Sequence, residues 1–299
     1  MLTLCSARSS GVQVPLSSPF TNAGFSGNGA SNNTKELTTA RINTTEFEKF
    51  LVVQKNLSEL TVKSHINILN IFLRHVNTGK LTAETLQNFM FWVKNNKSRK
   101  TYGNYLCTMK VLFRDFLKMP EIVQDFKFPA IEVKPKFLPS KQQLTVFFNA
   151  LEPKYKIIFL ALASSGLRIS ELLGAEVDSA SRMLLPKAHN GSTKKAWVSF
   201  NNEETEALLQ QYQGNPFEAS RNTVAHVFKE AANKTGIDIS AQTLRSIFAR
   251  EMGLKGVQDR HIDAFCGRTP ASVLAKHYSD YSPEVLKVVY LKASIKIME

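Results

Sequence analysis

The chain has 299 residues, with 38 Lys+Arg against 25 Asp+Glu, a net charge of +13 and an apolar content of 43%. It is long enough for two ordinary domains, each with a core, and the cationic excess favours a polyanionic partner through phosphate neutralisation. Three scattered cysteines (Cys5, Cys107, Cys266) with no C-x-x-C pair argue against a disulfide framework and a cysteine zinc site; no apolar run approaches the ~20 residues of a membrane span, and MLTLCSARSSG lacks the apolar core of a secretion signal, so an intracellular protein with no membrane partner is expected.

Residues 1–43 are rich in Ser, Asn, Gly and Thr without an apolar period, which predicts a flexible leader. Four helices are then predicted over residues 44–119. Thr44 or Thr45 can cap the first, through EFEKFLVVQKN. Ser58 can cap the second, with Leu60, Val62, Ile66, Leu69, Ile71, Phe72 and Leu73 at three-to-four spacing. Thr82 to Thr85 open the third, with Leu86, Phe89, Met90 and Val93 on one face. Ser98 or Thr101 opens the fourth, with Tyr102, Tyr105, Leu106, Met109, Leu112, Phe113 and Phe116. The aromatic residues at this spacing read as core rather than base-stacking platforms. Lys63, His65, Arg74 and Lys110 are expected among the exposed bases. Lys97-Ser98-Arg99-Lys100-Thr101 puts cations and hydroxyls at a helix start, where they suit phosphate contact.

Prolines 120, 129, 135 and 139, with interspersed lysines, predict an extended linker over 120–139. A second domain, 140–299, is expected to open at Ser140, which can cap SKQQLTVFFNAL. KYKIIFLALASSG and RISELLGAE continue it as helix. Met183–Leu185 and Ala196–Phe200 then flank His189-Asn190-Gly191-Ser192, a hairpin signal. Four more helical stretches follow, through VQDRHIDAFCG. The expected fold class is mainly α with a small β hairpin or sheet.

The chemistry lies in the second domain. Arg168 stands in SSGLRISELLG with Glu171 three positions on, on the same helical face and able to orient it. Arg245 stands in AQTLRSIFARE, and Arg268 in Cys266-Gly267-Arg268-Thr269-Pro270, ten residues before Tyr278. A tyrosine hydroxyl, with a pKa of roughly 10, can attack a phosphate if the developing charge is stabilised. Arginine does this best because its planar fork matches two phosphate oxygens. Lys187, Lys194 and Lys195 lie in the hairpin, where a lysine of lowered pKa can donate a proton to a leaving oxygen. There is no G-x-x-x-x-G-K-[ST] loop, no H-E-x-x-H, and no carboxylate clustering of the kind two-metal nucleases need.

The order Arg168, hairpin lysine, Arg245, Arg268, Tyr278 resembles that of the tyrosine recombinases or phage-type integrases, most nearly the archaeal fusellovirus-type integrases, and the resemblance spans residues 44–299. It implies a four-helix core-binding domain that grips DNA with a separate catalytic domain, and a site-specific recombinase that forms a 3′-phosphotyrosine at Tyr278. In this resemblance Arg168, Arg245 and Arg268 contact the scissile phosphate, and a hairpin lysine protonates the 5′ oxygen. Lys194 is favoured for that role, with Lys187 and Lys195 open. The resemblance further implies double-stranded attachment sites as partners, a homo-tetramer on paired sites, and no cofactor, metal or ATP. Two positions depart from the family pattern. Gln242 stands where His or Lys is usual and has no titratable proton, and Arg268 stands where histidine is usual. His261, His189 and His277 are substitutes for the missing base, and Tyr281 and Tyr290 are rival nucleophiles.

A type IB topoisomerase shares this chemistry, and a DNA-binding relic is the non-enzyme alternative. Gly11 to Pro15 can be back-translated as GGN-GTT-CAA-GTC-CCN, which contains TTCAA between G and C runs able to pair, like the T-arm of a tRNA gene; the resemblance to fusellovirus-type elements, whose attachment site lies inside the integrase gene, implies for such a string a peptide dictated by DNA pairing, with no folding role.

Overall fold

The computed structural model describes residues 42–76, 81–130, 132, 138–186, 198–268, 272 and 279–298. The chain divides between residues 133 and 134 into two compact units.

The first unit holds α1 (Thr44–Val53), α2 (Glu59–Val76), α3 (Ala83–Asn96) and α4 (Arg99–Lys110), the last continuing as a π turn over Val111–Phe116. Short polar side chains start the helices by accepting otherwise orphaned amide protons. Thr82 and Ser98 do so for α3 and α4. For α1 the cap is Asn43, not Thr44 or Thr45: its Oδ1 accepts from both Thr45 and Glu46. The apolar faces converge on Phe47, Leu51, Leu69, Phe72, Phe89 and Phe113. Leu60, expected on that face, is 81% exposed at the first turn of α2.

Two expected surface bases turn inward. Lys110 donates to the Val123 carbonyl at 3.0 Å. His65 is buried on the Val62–Leu69–Phe72 face, with Nδ1 2.9 Å from the Thr108 hydroxyl. Pro120–Ile122 forms a 3₁₀ turn that buries Ile122 and Val123, so the start of the expected linker packs into the helical unit.

Burial holds the His65 imidazole below its ordinary pKa. Its folded value is depressed, so its neutral form is favoured in the fold. The associated stability is complete above the unfolded pKa of about 6.5 and is lost as pH falls from there through the folded value. Acidification from pH 7.5 to 5 is therefore expected to lower the urea midpoint of this unit, and His65→Gln to flatten that dependence. An equal pH slope in the variant contradicts the assignment.

The second unit is built around α6 (Pro153–Ser165), which is buried from Ile157 to its end. Pro153 suits its first turn, where a missing N–H costs nothing. Around α6 stand α5 (Lys141–Asn149), α7 (Ile169–Leu172), α8 (Glu203–Gln211), α9 (Arg221–Thr235), α10 (Ala241–Leu254), α11 (Asp259–Phe265) and α12 (Pro283–Ala293). Ser140 caps α5 in a capping box with Gln143. α10 and α8 pack along α6, and α5 also packs on α9.

The sheet has three antiparallel strands in the order β1 (Glu176–Asp178), β2 (Met183–Leu185) and β3 (Ser199–Phe200). Val177 pairs with Leu184, and Leu184 with Ser199. β2 and β3 are the predicted pair, with Val198 outside the strand and residues 187–197 outside the described residues. β1 begins at Glu176, the last residue of the RISELLGAE run expected as helix, which is helical only over Ile169–Leu172. Among the described residues no helix is long and apolar enough to cross a membrane.

Candidate functional site

The site grows from the end of α6. Gly166 ends that helix at φ +68°, and a Cβ there would run into the Phe248 ring of α10. Glycine is required twice over, by the left-handed backbone and by the close approach. The chain then passes through buried Leu167 to Arg168 at the start of α7.

Glu171 fixes Arg168 at both ends. Its Oε2 accepts the Arg168 backbone N–H at 2.7 Å, and its Oε1 accepts the guanidinium Nη1–H at 2.6 Å. The expected Arg168–Glu171 contact is thus present, though as a cap contact from the extended backbone before α7 rather than as a pair on one helical face, and Glu171 is buried, unlike the partner in an ordinary surface ion pair. The same carboxylate lies 3.8 Å from Arg245.

Arg245 is only 3% exposed. Its Nη1 donates to the Gly166 carbonyl at 2.7 Å and its Nη2 to the Cys266 carbonyl. Burial above all pulls its pKa below the usual arginine value; Arg168 and Arg268 add to that, while Cys266 and Glu171 oppose it. Cys266 closes α11, and Gly267 at φ +54° turns the chain to Arg268. Arg268 is exposed, with Nη1 3.3 Å from Asp263. Burial raises the Cys266 thiol, although Arg245, Arg268 and Arg168 all oppose the rise. A raised thiol is protonated at neutral pH and is a poor nucleophile.

Arg168 and Arg245 thus meet at Glu171, and Arg268 follows two residues after the Cys266 carbonyl that Arg245 holds. One is buried and braced on backbone, and two keep part of their forks toward solvent. Gln242 is exposed on the first turn of α10 and lines, with Arg168 and Arg245, a groove of about 670 Å³. Arg221 and Lys229 of α9 line it too, and no motif had marked them.

The rival tyrosines are both buried. The Tyr290 hydroxyl donates to the Ser164 carbonyl at 2.9 Å, and burial pushes its phenol far above the usual range. Tyr281 packs edge-on against His261, with ring centroids 6.3 Å apart. His261 is held below its ordinary pKa by burial and by Arg260, which favours the neutral, proton-accepting ring. Tyr278, Lys187, Lys194, Lys195, His189 and His277 lie outside the described residues. Among the described residues no cluster of three or more His, Cys, Asp or Glu could hold a metal.

A sequence profile described as archaeal phage integrase matches residues 136–287, half of the chain. The chain belongs to the archaeal phage integrase family. It is a site-specific DNA recombinase of the tyrosine class, an enzyme that cleaves and rejoins DNA. Similar proteins include the tyrosine recombinase XerA of Thermococcus onnurineus, 23% identical over 274 residues that cover 84% of this chain and 94% of the relative. The tyrosine recombinase XerC of Leptospira interrogans is 23% identical over 285 residues, covering 83% and 91%. The fold resembles that of a lambda integrase tetramer bound to a Holliday junction, at TM-score 0.64 and 14% identity, covering 84% of this chain and 82% of that one. It also resembles the Tn1549 transposon integrase, at TM-score 0.59 and 14% identity, covering 83% and 98%. None of these findings favours the topoisomerase alternative.

Proposed function

We propose that Tyr278 is the nucleophile and that Arg168, Arg245 and Arg268 hold the phosphate it attacks. The observation that carries this is the convergence of Arg168 and Arg245 on one buried carboxylate, with Arg268 two residues beyond the Cys266 carbonyl that receives Arg245. The phenol oxygen attacks phosphorus, the bond to the 5′ oxygen breaks, and the DNA strand is left as a 3′-phosphotyrosine. The guanidiniums take the charge that develops on the non-bridging oxygens. Lys194, with Lys187 and Lys195 as alternatives, gives its proton to the departing 5′ oxygen. Gln242 donates a neutral hydrogen bond to the phosphate. The phenol proton passes to a histidine, of which His261 is kept neutral. A 5′ hydroxyl of a second strand then reverses the step. The covalent link conserves the bond energy, so strand exchange calls for no ATP, metal or other cofactor.

The partners in this proposal are double-stranded attachment sites, paired by a homo-tetramer, in the DNA of an archaeal virus or plasmid and its host. The buried rival tyrosines and the family's character support it. Residues 44–119, with Ile42, Asn43 and the turn at Pro120–Ile122 packed onto them, and residues 140–299 act as two DNA-gripping domains; the rest of 120–139 joins them, the rest of 1–43 is a leader, and the enzyme works inside the cell. If the two domains neutralise roughly 6–10 phosphates, duplex affinity is expected to fall about 10³–10⁵-fold between roughly 50 and 200 mM salt. Equilibrium binding across that range tests it, and a flat response rules out a backbone-gripping enzyme.

A further inference from the structure

The last carbonyls of a helix have no partner within it. At the end of α6 three consecutive carbonyls are met by side chains from three different elements. Ser164 O accepts from the Tyr290 hydroxyl of α12 at 2.9 Å, Ser165 O from the Ser199 hydroxyl of β3 at 2.6 Å, and Gly166 O from Arg245 of α10 at 2.7 Å. All three donors are buried. The Tyr290 ring is held between Phe200 and Phe265, with centroids 5.4 and 5.8 Å away, so its hydroxyl has one direction to point.

Each of these elements carries or borders a group in the proposed chemistry. Arg168 follows the turn directly. α10 carries Gln242 and Arg245. β3 begins four residues after Lys195, and Tyr290 lies twelve residues after Tyr278. A buried hydroxyl must be stripped of water, so its net stabilising effect is small. What it supplies is placement, and misplacement by about 1 Å can cost on the order of 10² in rate.

We propose that Ser199 and Tyr290 are positioning residues: their hydroxyls tie the Arg168-bearing turn to the strand that follows the lysine segment and to the helix that follows Tyr278. This rests on the roles proposed above for Arg168, Tyr278 and the lysine.

The test uses the full chain in single-turnover cleavage of a nicked duplex that the native enzyme cleaves. The duplex carries either oxygen or sulfur at the bridging 5′ position of the scissile phosphate. A thiol is far more acidic than an alcohol, with a pKa of about 8.5 for cysteine, so sulfur departs without a proton donor. Ser199→Ala is expected to slow cleavage of the oxygen substrate about tenfold or more with duplex affinity unchanged, and sulfur restores its rate, as it does for the variant of whichever of Lys187, Lys194 and Lys195 is the proton donor. Tyr290→Phe slows both substrates alike, because the nucleophile's placement matters for either. Leu144→Val, which thins the same core without touching a donor to the turn, lowers the melting temperature and leaves cleavage by the folded enzyme unchanged.

The inference is overturned if Ser199→Ala and Tyr290→Phe cost no more cleavage than Leu144→Val. It is also overturned if sulfur rescues a lysine variant but not Ser199→Ala. If sulfur rescues no lysine variant, the lysine reading itself fails and takes the Ser199 assignment with it. Should Tyr290→Phe fail to fold, the sulfur comparison on Ser199→Ala still decides.

Discussion

Replacing Arg245 with alanine is expected to lower single-turnover cleavage by about 10²–10³, the scale of losing one preorganised charge-stabilising donor. It is also expected to cost roughly 3 kcal/mol of folding stability, because the change breaks a buried charged contact. The Gly166 and Cys266 carbonyls both lose their donor, and Glu171 keeps only Arg168. Arg245→Lys restores the charge but not the fork that spans two carbonyls, so it recovers part of the stability and little of the rate. Arg268→Ala should separate the two effects. Arg268 is exposed, so cleavage falls by a factor on the order of 10² or more while the melting temperature stays near native. Gln242→Ala should cost less than about tenfold, since a neutral hydrogen bond is worth less than a charged one. Melting curves and cleavage rates for the four variants on one substrate check this. Loss at Gln242 equal to that at Arg245 would make Gln242 a full catalytic member and overturn its weakened role.

Tyr278→Phe is expected to have the largest effect on chemistry: no covalent protein–DNA adduct at any time, with duplex affinity near native. Only one oxygen is removed, and the phosphate's cationic partners remain. Tyr290→Phe, by contrast, should retain adduct formation at a reduced rate, because the Tyr290 hydroxyl is occupied by Ser164 O in the interior. Adducts in Tyr278→Phe would move the nucleophile to another side chain.

The legible parts of this molecule are those in which neighbouring residues carry the signal. Thr82, Ser98 and Ser140 each precede an apolar period and each caps its helix. Asn43-Thr44-Thr45 offers three capping residues in a row, and composition alone does not choose among them. Residue type places His65 at the surface, whereas its spacing from Val62, Leu69 and Phe72 places it inward, where it lies. β1 has one apolar residue, Val177, between two acids, so no alternation announces it. In the site, the Arg168–Glu171 pair was readable because both partners lie within one helical turn. The burial of Arg245 was not, because its carbonyl acceptors lie 79 and 21 residues away. Separations of 34 and 126 residues from their acceptors hide the donors Ser199 and Tyr290, whose shared turn exists only once α6, α10, α12 and the sheet have packed together.

The most direct test of the central claim is to identify the side chain that carries the DNA. The native chain is incubated with a pool of nicked duplexes that includes the DNA encoding residues 1–43, the covalent adducts are isolated and digested, and the phosphate-bearing peptide is sequenced. A single modified residue is expected, Tyr278, joined to the 3′ phosphate of the cleaved strand. Modification of Tyr281 or Tyr290, a 5′ linkage, or cleaved DNA with no covalent protein would contradict it.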